Sequence, residues 1–230
     1  IRLSVGGACQ LDGTLSANGA NAASNNNGAT GGGGAGGTIR LACDTLSGSG
    51  LLRANGGDGG DDPTVALNED GGGGGGGGGR IAVRASDHSG FVSKASAEAE
   101  AGAAGSGVGP AGIVGGRGTV VFITVGAGAN PLTDNTKSHD TDLELYRSWR
   151  WEPSVEGAFD YQSVTVKPDT QVVGGDGDVT VTAETFTMDT ASWDTTVSSS
   201  NETPSSGSVH LDVTTLGLTG STLVADASSK

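Results

Sequence analysis

Carboxylates are the most numerous ionisable groups in the sequence: 26 Asp and Glu stand against 12 Lys and Arg, for a net charge of −14. Asp58, Asp61 and Asp62, the pair Glu69-Asp70, and Asp176 with Asp178 lie beside or between glycines. A hard cation wants several oxygens in flexible geometry, so these are candidate Ca²⁺ ligands. None of the stretches matches an EF-hand loop or a calcium nonapeptide, and Asp is also common in turns for backbone reasons. Paired carboxylates with a basic partner would also suit polysaccharide cleavage. The candidates for that are Asp176, Asp178, Asp189 and Asp194 with Lys167. Their turn setting argues for structure, and the expectation is a protein that is not an enzyme and requires no cofactor.

The other reactive groups are few. Cys9 and Cys43 fall in the strand-rich parts of neighbouring repeats. Strands one rung apart lie about 4.8 Å from each other, within the reach of a disulfide, although the two cysteines are not at the same rung position. Asn201-Glu202-Thr203 is an N-glycosylation sequon with Pro204 directly behind it. His88, His139 and His210 are scattered. There is no HExxH, no zinc spacing, no phosphate loop and no GxSxG. The GxGxxG matches inside glycine runs lack a strand–helix context. An acidic chain with pI ≈ 4.3 would be repelled by nucleic acid, and no apolar run is long enough for a membrane-spanning helix.

The elements that must carry these residues repeat. Ile1-Arg2-Leu3, Ile39-Arg40-Leu41, Ile81-Ala82-Val83 and Val120-Val121-Phe122 recur at steps of 38, 42 and 39 residues. Each of the first three is followed by a second short strand-like run, at Gly13–Gly19, Gly50–Gly56 and Gly90–Ala95. The strands in these runs are read as three to five residues long, too short to bury a face alone; stacking equivalent strands buries a shared core. The Gly content rules out helices here. The fold class is therefore all-β, a parallel β-helix or solenoid with long Gly-rich loops.

Those loops include Gly31–Gly34 and Gly71–Gly79. Lacking side chains, extended polyglycine segments resembling polyproline II can pack side by side and hydrogen-bond. Gly71, Gly75 and Gly79 are candidate packing positions. Of the 44 glycines, 37 lie in residues 1–128, whereas 7 of the 9 aromatics lie beyond. The expected organisation is Gly-rich repeats over 1–128, an irregular aromatic-containing connector over 129–158, and short-loop rungs over 159–230. In the last region Val164–Val166, Val179–Thr182, Phe186–Met188 and Val209–Val213 read as period-2 strands.

The strings Leu11-Asp12-Gly13-Thr14-Leu15-Ser16-Ala17-Asn18-Gly19, Gly36-Gly37-Thr38-Ile39-Arg40-Leu41 and Ala54-Asn55-Gly56-Gly57 carry a resemblance, completed by Gly71–Gly79 before Arg80-Ile81-Ala82-Val83. They are similar to the Gly-rich β-solenoid repeats of very large secreted, adhesin-like microbial surface proteins. Phe159–Val166 followed by Val179–Thr182 resembles the segment opening a new block in such proteins. The resemblance spans most of the chain outside 129–158. It implies an extracellular or cell-surface location and a structural or adhesive role, and it carries no catalytic residues.

The functional expectation is a surface-array or filament building block. Its partners are other copies or further repeats of the same polypeptide, and a surface polysaccharide. Val209–Asp226 aligns without gaps on Ile1–Asn18 at an offset of 208, with Leu211/Leu3, Val213/Val5 and Leu223/Leu15 identical. The first and last rungs are thus of one kind. Neither reads as a polar cap, so Ile1, Leu3, Val209 and Leu211 are candidate assembly residues. The alternatives are a polysaccharide-binding or -cleaving β-helix, and an ice- or crystal-binding face built on Thr180, Thr182, Thr185 and Thr187.

Overall fold

The computed structural model describes residues 1–24, 30–62, 71–107, 109, 111–126, 129, 131, 140–151, 158–174, 179–194 and 209–224. Within these, strands form where the apolar repeats predict them. They are β1 (Arg2–Gln10), β2 (Thr14–Ser16), β3 (Thr38–Ser47), β4 (Leu51–Arg53), β5 (Arg80–Asp87) and β6 (Thr119–Val125). β1, β3, β5 and β6 pair side by side in parallel, and β2 pairs with β4. The registers Leu3↔Leu41, Leu41↔Val83 and Val83↔Phe122 stack the repeat positions on one another.

Two expectations are corrected in this half. The main strands reach nine and ten residues in β1 and β3, because ladder hydrogen bonds carry them past their apolar starts. The Phe91 run is no strand. It makes isolated bridges, Gly48↔Phe91 and Arg53↔Glu98, around a 3₁₀ turn at Lys94–Ser96. Phe91 nevertheless fills its core position.

The connector is corrected too. Asp140–Trp151 forms β7, a twelve-residue strand paired on both sides. It runs antiparallel to β6 and parallel to β8 (Ala158–Val166). The sheet continues in parallel through β10 (Val179–Asp189) to β12 (Val209–Thr219). Val179–Thr182 and Phe186–Met188, expected as separate strands, belong to β10. A second ladder is formed by the end of β7 with β9 (Gln171–Gly174), β11 (Ser192–Asp194) and β13 (Thr222–Val224). Each main strand turns into its short one at a left-handed corner. Asp169 (φ 59°), Thr190 (φ 47°) and Gly220 (φ 57°) stand two residues before β9, β11 and β13, and Arg147 (φ 72°) bends β7 itself. The architecture is therefore a mostly parallel sheet, compatible with a β-helix, with one antiparallel seam.

That seam has a consequence for the core. Ile39, Leu41, Ile81, Val83, Val120 and Phe122 form one buried cluster. Val121, Leu143, Leu145, Val164, Val181 and Phe186 form another. Alternate residues of β6 enter different clusters, so the two cores lie on opposite faces of one sheet. Each buried Phe, Leu or Ile stabilises by about 1.5–3 kcal/mol. Both faces are apolar only at the seam. A buried ion pair, Arg84 with Asp140 at 2.8 Å, also spans it. No described helix is long and apolar enough to cross a membrane.

Candidate functional site

The glycine-rich segments pair with one another through backbone hydrogen bonds at three-residue spacing. Gly73, Gly76 and Gly79 donate to Gly60, Gly57 and Ala54, an antiparallel neighbour. Gly75 and Gly78 donate to Ile113 and Gly116 on a parallel one. Gly33 and Gly36 donate to Gly74 and Gly77. Segments 17–22, 54–62 and 98–106 make one layer, and 31–37, 72–79 and 112–118 the other. The approach is backbone to backbone. A Cβ on Gly73, Gly76 or Gly79 would lie 2.0, 2.1 or 2.0 Å from the carbonyl oxygen of Gly31, Gly34 or Gly37. One on Gly75 would lie 2.0 Å from that of Gly102. The Gly71 carbonyl accepts the Thr30 hydroxyl at 2.9 Å.

A side-chain ladder closes the outside of the first layer. Asn18 Oδ1 accepts the N–H of Asn55, and Asn55 Oδ1 accepts that of Glu100, both at 2.9 Å. Asn21 does the same for Asp58, at 2.9 Å, and Asp58 for Ala103, at 2.8 Å. Asp61 accepts both the N–H and the hydroxyl of Ser106 at 2.7 and 2.8 Å. These bonds hold the Asp61 carboxyl below the usual range, the backbone N–H contributing most. The signal was available in the sequence as Asn or Asp at every third residue, 18 and 21, then 55, 58 and 61.

This ladder changes the reading of the candidate Ca²⁺ ligands. Asp58 and Asp61 act as acceptors for the neighbouring segment, and Asp62 is buried. Among the described residues no group of three or more His, Cys, Asp or Glu side chains is placed to hold a metal ion. Asp176, Asp178 and the sequon Asn201 lie outside the described residues, as do Glu69 and Asp70.

Of the cleavage candidates, the side chains of Lys167 and Asp189 are described: Lys167 reaches Glu144 at 3.8 Å, and Asp189 accepts the Thr190 hydroxyl at 2.9 Å. A polar cluster forms around Glu144. Lys94 contacts Glu144 at 3.0 Å and His88 Nδ1 at 3.2 Å. His88 Nε2 lies 3.2 Å from the Thr124 hydroxyl, and Tyr146 donates to Glu144 at 3.1 Å. Burial, then the Lys94 charge, lowers the His88 pKa, favouring the neutral ring. The tight packing of His88 against Phe122, with ring centroids 5.6 Å apart, marks this as a core-sealing network. An open groove of about 610 Å³ lies elsewhere, lined by Asp140, Tyr161, Thr182, Glu184 and Asp212 across four neighbouring strands.

Both cysteines are free thiols in this structure. Cys43 lies opposite Val5 and Cys9 opposite Leu46, and Cys9 is within hydrogen-bond reach of the Cys43 thiol. Burial first, and then the neighbouring Cys9, push the Cys43 thiol up to about 12. The threonines of β10 divide: Thr180 lies between Ala158 and His210 and Thr182 between Asp160 and Asp212, whereas Thr185 lies between Ser163 and Thr215 and Thr187 between Thr165 and Gly217.

The assembly candidates fall at the two edges of the sheet. Among the described residues β1 pairs only with β3, and β12 only with β10. Ile1, Leu3 and Val5 are 48%, 39% and 38% exposed at one edge; Leu216 and Leu218 are 49% and 45% exposed at the other. A depression of about 290 Å³ opens beside β1, lined by Leu3, Val5, Cys9, Leu11, Leu15 and Leu41. Leu211 packs partly against the second core; the side chain of Val209 is not described.

No family model, no curated protein and no solved structure matches this chain.

Proposed function

We propose that the protein is a non-enzymatic extracellular structural or adhesive building block, a β-solenoid whose rungs stack head to tail into surface arrays or filaments. The observation that carries this reading is the exposure of apolar side chains along β1 and β12, each paired on one side among the described residues. An edge strand is a template for further pairing unless it is blunted by charge, proline or a cover. The glycine segments support the same reading: their three-residue spacing suits polyproline-II-like chains, which form a stiff cover without an apolar core. The location rests on the resemblance to secreted surface repeats, and no bound cation is part of this reading. Sedimentation velocity over a hundredfold concentration range, with electron microscopy of the same samples, tests it. Growing linear assemblies are expected; a monomer at every concentration overturns the reading.

A second reading, polysaccharide binding, is favoured by the groove over β7, β8, β10 and β12. Its hydroxyls and carboxylates, from Thr141, Tyr161, Thr182, Glu184 and Asp212, suit the hydroxyls of a sugar chain laid across the strands. Glycan-array binding lost in Tyr161→Ala and Glu184→Ala supports it; no binding by the wild-type chain rejects it.

A further inference from the structure

The seam reverses two things at once. β1, β3, β5 and β6 run one way and bury their core on one face; β7, β8, β10 and β12 run the other way and bury theirs on the opposite face. A half-turn about the stacking axis, the in-plane line perpendicular to the strands, produces both changes and keeps the order of strands. A half-turn about any other axis, or a mirror, does not. The two halves of the sheet are thus related by an approximate half-turn about the stacking axis.

The same geometry constrains how an added copy can meet β12. A copy added by translation alone would bring its β1 in antiparallel to β12, with its core on the wrong face. A half-turn about the sheet normal would set β12 against β12 of the other copy, also antiparallel. The core face would then match, but each main strand carries its short strand at one end only, so β13 would find no neighbour. A half-turn about the strand direction would bring β12 against β12 in parallel with the cores on opposite faces. A half-turn about the stacking axis leaves none of these defects. β1 of the new copy runs parallel to β12 and extends its core, and β2 falls beside β13.

The residue spacing fits that joint. At one offset of 208, Leu211 and Val213 of β12 face Leu3 and Val5, while Thr222–Val224 of β13 face Thr14–Ser16 of β2. The start of the main ladder and the short ladder share this offset. Between them lies the Gly6-Gly7 bulge, which already steps the β1–β3 register, with Gly7 at φ 142°. Past the bulge, where β1 carries one extra residue and β12 keeps a constant register on β10, Cys9 and Leu11 would face Leu216 and Leu218. The joint would cover Ile1, Leu3, Val5, Leu216 and Leu218, five of the eight large exposed apolar side chains among the described residues.

We infer that the β12–β13 edge takes the β1–β2 edge of a second copy, and that successive copies are turned by a half-turn about the filament axis, apart from the twist of the sheet. This rests on the assembly reading above. The glycine layers, which belong to the first half of each copy, then project alternately to opposite sides of the filament.

Two blocked variants test the joint. Leu3→Lys with Val5→Lys disables the β1 edge; Leu216→Lys with Leu218→Lys disables the β12 edge. All four positions are substantially exposed, and circular dichroism melting checks the fold; if either double variant unfolds, the single changes Leu3→Lys and Leu216→Lys replace it. Each variant alone is expected to stay monomeric, and an equimolar mixture to form dimers and nothing larger, because each partner keeps one working edge. Homodimers of either variant, with no gain on mixing, overturn the head-to-tail joint while leaving self-assembly standing. Class averages of wild-type filaments are expected to show the glycine layers on alternating sides; projection always to one side overturns the half-turn. A wild-type chain that never assembles removes the assembly reading and this inference with it.

Discussion

The two halves of the sheet face their cores with different lengths of chain. In the first half Leu15 of β2, Leu52 of β4 and Phe91 pack against the core, and a double layer of glycine-rich segments continues beyond them, so one repeat takes 38 to 42 residues. In residues 140–224 the short ladder of β9, β11 and β13 faces the core, and β8 to β10 takes only 22 residues. The glycine layers need backbones in contact, so side chains are excluded from the inner positions. The short ladder presents ordinary side chains such as Val172, fully buried under the corner. The glycine bias of the first half is thus a steric requirement of its layers, while its main strands are ordinary.

The sharpest way to break the comparison is to add side chains to the glycine layers. Gly73→Val with Gly76→Val places two Cβ atoms about 2 Å from carbonyl oxygens. Overpacking costs about 1–3 kcal/mol per site, and here rigid backbone must yield, so a loss of at least ~3 kcal/mol is expected. Gly217→Ala in the second half meets only Thr187 atoms, at 3.7 Å, in ordinary contact. It is expected to stay within ~0.5 kcal/mol of wild type. Urea unfolding of the three proteins decides; a double valine variant with wild-type stability would show that the layers do not form.

A smaller effect is expected from the side-chain ladder. Asn55→Ala removes the acceptor for Glu100 N–H and the donor to Glu98, the latter bond being 2.8 Å long. Loss of such bonds costs about 0.5–1.5 kcal/mol each. Asn18→Ala, which removes the acceptor for Asn55 N–H alone, is expected to cost less. Wild-type stability of both alanine variants would remove the ladder from the account.

Acid separates the halves by charge. His88 has its pKa lowered in the folded state, first by burial and then by Lys94, against the pull of Glu144 and Asp87. The unfolded chain therefore takes the proton more readily. The contribution is fully present above about pH 6.5 and is lost as pH falls through the lowered folded value. Asp61, also lowered, adds a loss of the same sign further into acid. His88→Gln is expected to flatten the fall that begins below about pH 6.5; an unchanged slope there would exclude His88 as its source.

The gentlest test uses native probes. Both cysteines lie in the first half and all three tryptophans, Trp149, Trp151 and Trp193, in the second. Cys9 is half-buried, whereas Cys43 is buried with its thiol pushed up to about 12. Alkylation at pH 8 is expected to modify Cys9 first and Cys43 only on opening of the first half. Tryptophan fluorescence followed in parallel reports the second half. Coincident transitions would show that the seam, with Leu145 and Phe122 on its two faces, makes the halves one cooperative unit.

The sequence alone determined the all-β class and the places where strands begin, because small aliphatics recurring every 38 to 42 residues can be buried only by stacking. It also marked Ile1, Leu3 and Leu211 as members of equivalent rungs. The length of the strands was not legible, since polar residues are held in a ladder by neighbours far along the chain. β7 escaped for a related reason. Its aromatic-rich run reads as part of an irregular connector, and only pairing on both sides makes it the seam. The direction of β7 was equally hidden, because period-2 patterning is the same read either way. The threefold spacing of Asn18, Asn21, Asn55, Asp58 and Asp61 was present in the letters, but its meaning needs partners 37 to 45 residues away. Tertiary structure alone decided that those side chains cap backbone donors, and that the core changes face at β6, where adjacent residues Val120 and Val121 enter different clusters.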